Sequence, residues 1–177
     1  IRPAVKEQVE SLGAKFVEVS LEEESETKGG YAKELSDKNK EKQKKVIHQH
    51  VKKSDIVITT ALIPGKPAPT LITKQMVEDM SAGSVVVDIA AEQGGNCEVT
   101  EPGEVIRHNG VIVDGPINLP STLAYHASKL YSKNILSLLD LLIEDGKPNF
   151  NFDDEIIANA TVTHQGEIIS PFVKENS

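Results

Sequence analysis

Two apolar, mostly β-branched runs constrain this chain most: "DIVITT" at residues 55–60 and "GSVVVDIA" at residues 83–90. Neither alternates polar with apolar residues, so neither suits a strand with one face in water. Both suit strands of a parallel sheet covered on both faces. Between them, "TLITKQMVEDM" supplies a short helix with Thr73 at its N-cap. Strand, helix, strand is the unit that brings the chain back in the same direction. "EVIRHNGVIVDG" then ends in another strand, with Asn109-Gly110 as a turn. The fold class is therefore α/β.

The flanking segments extend this pattern. Pro3 suits the first turn of a helix, and Ala4, Val5, Val9 and Leu12 follow at helical spacing until Gly13 stops them. "AKFVEVS" alternates and reads as a strand; "LEEESETKGG" reads as an acidic surface loop with a hinge at Gly29 and Gly30. The lysine-rich run to Ser54 has few apolar residues in its middle and predicts a helix most of which is solvated. "STLAYHASKLYSKNILSLLDLLIE" predicts a long amphipathic helix capped by Ser121, "DGKPNFNFDDE" a linker, and "ATVTHQGEII" a hairpin around Gln165-Gly166.

Ligands of parallel sheets sit outside the carboxyl ends of the strands. Three loops leave those ends here: Ala61 to Thr70, Ala91 to Gly103, and Gly115 to Pro120. The first, within "TTALIPGKPAP", is stiffened by three prolines, and stiff backbone packs against a flat ring at small entropic cost. It is not a phosphate-cradling P-loop, because the glycine spacing is wrong and Pro67 follows Lys66. Lys66 reads as a solvated lysine. "AEQGGNC" offers Glu92, Gln93 and Asn96 beside a diglycine that permits close backbone approach or simply forms a turn. Glu22 to Glu26 followed by Gly29-Gly30-Tyr31 reads either as a mobile charged loop or as a glycine-hinged lid carrying one aromatic.

Other chemistries find no support. The net charge of −8 argues against nucleic acid as a partner. One cysteine, Cys97, leaves no disulfide and no CxxC pair, and reads as an inert thiol. His48 and His50 lie on different sides of a helix, and no residue set has zinc spacing. No catalytic triad or metal site is expected.

Several stretches resemble one family closely. "RPAVKEQVESLGAKF", "GGYAKE", "TTALIPGKPAP", "GSVVVDIAAEQGGNCE" and "EPGEVI", with "LPS", the long helix and the "FDDE" tail, are similar to the NAD(H)-binding domain of proton-translocating NAD(P) transhydrogenases. Alanine dehydrogenases have similar Pro-Gly and diglycine loops, but usually lack the "GGYAKE" lid and the tail. The resemblance implies a Rossmann-like parallel sheet and NAD as cofactor. It implies hydride transfer from NADH to NADP⁺ held on a separate domain, coupled to protons moving through a membrane domain. Residue by residue, it implies that Arg2, with Ile1 beside it, lies near the adenosine ribose, and that Gly30 and Tyr31 belong to a loop closing over the dinucleotide. Gln43 matches a cofactor-contacting glutamine, and Leu62 a residue against which NAD packs. A hydride needs orientation and dryness rather than an acid or base, in keeping with the absence of a carboxylate pair.

The resemblance also implies that the glycine-rich turn, the ribose-binding acid and a first subdomain precede Ile1. Strands 1 and 2 of the order 3-2-1-4-5-6 would be missing, leaving "DIVITT" with a bare edge. The chain is thus expected to be a piece of a longer polypeptide that binds NAD poorly alone. Residues 1–120 would belong to the NAD-binding domain, and 121–177, with the long helix, would return to a companion subdomain. A homodimer is implied, on the cytoplasmic face of a bacterial-type membrane or the matrix side of an organelle inner membrane. The rivals are an alanine-dehydrogenase-like enzyme, whose diglycine-loop Asp would be replaced by Glu92, and a non-catalytic nucleotide-binding module.

Overall fold

The structure is a computed structural model that describes residues 5–19, 37–63, 65–170 and 173–174. It divides into two compact units, Ile1–Asn118 and Leu119–Ser177.

The first unit is built on a four-stranded sheet. Strands β1 (Ile56–Thr59), β2 (Val85–Asp88), β3 (Val105–His108) and β4 (Val111–Asp114) lie in the order β1-β2-β4-β3. β1, β2 and β4 run parallel, and β3 returns antiparallel to β4. The α/β expectation therefore holds, and "EVIRH" adds a strand where the sequence pattern points to none. Asn109 (φ 49°) and Gly110 (φ 82°) make the β3–β4 turn, both with the positive φ that a two-residue hairpin of matching twist demands.

Helices α1 (Lys6–Ser11), α2 (Asp37–Val51) and α3 (Lys74–Glu78) complete the unit. α3 starts where Thr73 accepts a hydrogen bond from the Met76 N–H at 3.3 Å, the expected cap. Its Met76 and Val77 join Val51, Ile72, Met80, Val86, Cys97, Val111 and Val113 in one core. Val77 and Val86 are fully buried, each contributing about 1.5–3 kcal/mol by leaving water.

Two expectations for this unit need correction. Residues 14–19 form no strand: alternation gives a segment two faces, but a strand also needs a hydrogen-bonded neighbour, and no described residue supplies one. β1 is not buried on both faces, because Ile56 and Ile58 are 64% and 62% exposed. Among the described residues it stands at the sheet edge with β2 as its one partner. α2 is exposed or half-buried over most of its described length, as expected, with Asn39 and Val51 buried.

In the second unit a one-turn helix α4 (Leu119–Thr122) precedes α5 (Ala124–Leu142). The break is at Leu123 (φ −127°, ψ 43°), so Ser121 lies inside α4 and the N-cap position of α5 falls to Leu123. The expected linker is structured. β5 (Ile143–Glu144) and β6 (Lys147–Pro148) pair across Asp145-Gly146, both at positive φ. Asp154 then caps α6 (Glu155–Ala160), its carboxylate accepting from the N–H groups of Ile156 and Ile157 at 2.9 and 3.1 Å. The terminal hairpin forms as expected, with β7 (Thr163–His164) and β8 (Glu167–Ile168) joined at Gln165-Gly166.

Two side-chain pairs fasten α3 at the end of the sheet away from the strand carboxyl ends. His48 of α2 meets Asp79 at 2.7 Å, and His108 of β3 meets Glu78 at 3.0 Å. The hydrogen bond from His48 is the main reason the Asp79 carboxyl lies below its usual range. A lowered folded-state value stabilises the fold above the ordinary carboxylate range and ceases to as pH falls through the folded value. Any melting-temperature advantage of the native protein over Asp79→Asn at pH 6 is therefore expected to close below about pH 4, as followed by circular dichroism. Thr73→Ala is expected to lower stability by about 1 kcal/mol, measured by urea unfolding.

Candidate functional site

The carboxyl ends of β1, β2 and β4 carry the loops that make the site. Thr59, which ends β1, stands opposite Asp88, which ends β2. Asp88 is wholly buried and its carboxylate accepts five hydrogen bonds. One oxygen takes the Thr59 hydroxyl at 3.0 Å and the Ala90 N–H at 3.1 Å. The other takes the N–H groups of Asn96 and Cys97 at 2.7 and 2.9 Å and the Thr100 hydroxyl at 2.8 Å. A carboxylate without solvent needs this many donors to offset lost hydration. In supplying them, the chain from residue 89 to 100 folds back around the strand end.

Asn96 then carries that order across to the loop after β1. Its carboxamide oxygen accepts the Ala61 N–H at 2.8 Å, and its amide nitrogen donates to the carbonyls of Ala61 and Pro69, each at 2.8 Å. The Asn96 carbonyl accepts from Leu71 and Ile72, and Ala68 donates to the Gln93 carbonyl at 2.7 Å. Both ends of the proline loop are thus tied to one buried side chain. Inside the loop, Gly65 at φ 71° lets the Lys66 N–H reach back to the Ile63 carbonyl at 3.1 Å. The third loop is tied by Glu92, which accepts from the Asn118 N–H, and by the Gly103 N–H on the Gly115 carbonyl at 2.7 Å.

The two glycines of "AEQGGNC" differ in what surrounds them. At Gly95 (φ 78°) a Cβ would stand 2.8 Å from the Asp88 carboxylate, so this position is closed by packing. Gly94 (φ 99°) has open space where a Cβ would be. Around this braced backbone the apolar side chains that leave the three parallel strands face water: Leu62 is 46% exposed, Ile89 40% and Ile117 49%. These exposed side chains make an apolar rim on loops braced through Asp88 and Asn96. Among the described residues no three side chains of metal-ligating type converge. The arrangement offers exposed apolar side chains on backbone that the Asp88 and Asn96 hydrogen bonds hold in place.

Of the residues singled out from the sequence, Leu62 stands in this rim. Gln43 is half-buried on α2, eight residues before Val51, or about 12 Å along the helix axis from its end. Ile1, Arg2, Gly30 and Tyr31 lie outside the described residues. Lys66 is exposed, and Cys97 is buried in the core, where burial pushes its thiol up and leaves it unreactive. Sequence reasoning misses Asp88, because a run of Val-Val-Val-Asp-Ile reads as apolar throughout. The available signal is a charged residue inside a buried run, with Asn96 and Thr100 following.

Comparison with known proteins shows the family. The family profile described as "Alanine dehydrogenase/PNT, C-terminal domain" matches residues 1–171. An NAD(P) transhydrogenase alpha-subunit polypeptide of Rickettsia prowazekii is 47% identical over 175 residues, covering 99% of this chain and 45% of that protein. "Alanine dehydrogenase 1" of Staphylococcus aureus is 31% identical over 124 residues, covering 68% of this chain and 33% of that protein. Among solved structures, the transhydrogenase from Sinorhizobium meliloti superimposes with a TM-score of 0.67 at 39% identity, covering 97% of this chain and 41% of that one. The chain thus spans about half the length of the curated relatives it matches. By profile, identity and fold together, it belongs to the alanine dehydrogenase/PNT family, over that family's C-terminal domain.

Proposed function

We propose that this chain is part of the NAD(H)-binding component of a proton-translocating transhydrogenase. NADH lies along the carboxyl edge of β1, β2 and β4, its nicotinamide against the rim of Leu62, Ile89 and Ile117. Its C4–H bond breaks, and the hydride, one proton with two electrons, passes to NADP⁺ on a separate domain, leaving NAD⁺ and NADPH. This chain supplies orientation and a dry surface, and no proton has to be taken or given at the reacting carbon. Ile1 and Arg2 contact the adenosine half, Gly30 and Tyr31 close over the dinucleotide, and Gln43 joins them. Residues 1–120 belong to the NAD-binding domain, and 121–177 to a companion subdomain. The partners are an NADP-binding domain, a membrane domain that passes protons, and a second copy of this component. The assembly sits on the cytoplasmic face of a bacterial-type membrane or the matrix side of an organelle inner membrane.

The observation that carries this reading is how far the likeness runs. Similarity to the transhydrogenase subunit covers 99% of the chain, whereas similarity to alanine dehydrogenase covers 68%. Glu92 also bears on the choice. One of its oxygens accepts the Asn118 N–H, and it stands where the resemblance puts the substrate-assisting Asp of an alanine dehydrogenase.

The intact protein, assayed in its membrane, is expected to reduce an NADP analogue with NADH and to show no pyruvate- and ammonia-dependent NADH oxidation. The reverse pattern would replace this reading by the amino-acid dehydrogenase. Leu62→Asp is expected to raise the Kd for NADH at least tenfold, about 1.4 kcal/mol, with folding unchanged because the residue is half exposed. Fluorescence titration with NADH measures it.

A further inference from the structure

Asp88, at the end of β2, differs from the other charged residues at the strand ends and in the three loops. Glu92, Glu98, Glu101 and Lys66 are exposed, so solvent and salt screen their fields, and Asp114 is half-buried. Asp88 is wholly buried at the strand end from which two of the loops are braced. Among the described residues none of its hydrogen-bond partners is a cation: two hydroxyls and three backbone N–H groups surround it. Dipoles of this kind make a buried charge tolerable without cancelling it. At a distance larger than a hydrogen bond, the site still carries one net negative charge in a medium of low dielectric.

The oxidised and reduced forms of the proposed cofactor differ at the ring: the nicotinamide of NAD⁺ is a cation, and that of NADH is neutral. A fixed negative charge beneath the ring site favours the first over the second. We infer that Asp88, beyond bracing the loops, sets the redox preference of the site, holding NAD⁺ relatively tightly and so making bound NADH the stronger hydride donor. This inference rests on the functional reading above, because it requires the nicotinamide to lie at the edge that Asp88 underlies.

The test compares Kd(NADH) with Kd(NAD⁺) in the intact protein, by calorimetry, for the native chain and for Asp88→Asn, which keeps the shape and removes the charge. The ratio Kd(NADH)/Kd(NAD⁺) is expected to fall about three- to tenfold, and a tenfold fall raises the potential of the bound two-electron couple by about 30 mV. A residue that only braces the loops would weaken both ligands alike, and an unchanged ratio overturns the inference. Should Asp88→Asn not fold, Thr100→Val removes one hydroxyl donor from the carboxylate and leaves its charge less offset. A rise in the ratio for that variant supports the inference; an unchanged ratio overturns it. If the native protein binds neither nucleotide, the functional reading fails, and this inference with it, which distinguishes that outcome from a ratio that does not move.

Discussion

The end of β2 is held by a single buried carboxylate, and the shape of everything outside the sheet's carboxyl edge follows from it. Asp88 gathers donors from Thr59 on the neighbouring strand and from residues 90, 96, 97 and 100 of its own loop. Once that loop is wrapped, Asn96 is in position to take hold of Ala61 and Pro69. A rigid rim would otherwise require the proline loop to be ordered by its own residues alone, at a backbone cost of about 1–2 kcal/mol per residue fixed. Here the cost is shared with a network that the burial of Val86 and Cys97 already orders. Closing the Gly95 position to any side chain belongs to the same arrangement, since its missing Cβ leaves the space that the carboxylate fills.

Much of the fold is legible from residue pattern. The apolar runs at 56–59 and 85–88, the Thr73 cap and the Asn109-Gly110 and Gln165-Gly166 turns all depend on local chemistry, and local chemistry is what a sequence displays. The errors fall where a neighbour decides. Residues 14–19 have the alternation of a strand and lack a described partner, while β1 has a buried strand's composition and an edge strand's exposure. Asp145-Gly146 carries the same turn chemistry as the other hairpins, yet the polar residues around it suggest a linker.

The site is legible in its parts more than in its logic. The proline loop stands out because stiff backbone follows an apolar strand, the diglycine reads equally as a plain turn, and Leu62 is picked out only by the family resemblance. Asp88 does not stand out, because a carboxylate among valines is recognisable as a brace only after its donors, spread over residues 59–100, have been brought together. The distinction between Gly94 and Gly95 likewise needs three dimensions: adjacent identical residues, one facing open space and one facing an anion.

The exposed side of β1 has a further consequence. Among the described residues its outer amide groups meet no ladder, and Ile56 and Ile58 flank them. At the opposite side of the sheet, β3 carries Arg107 and His108, charged or polar residues of the kind that discourage pairing. Among the described residues the two edges of the sheet thus differ in kind, apolar side chains standing at β1 and charged or polar ones at β3.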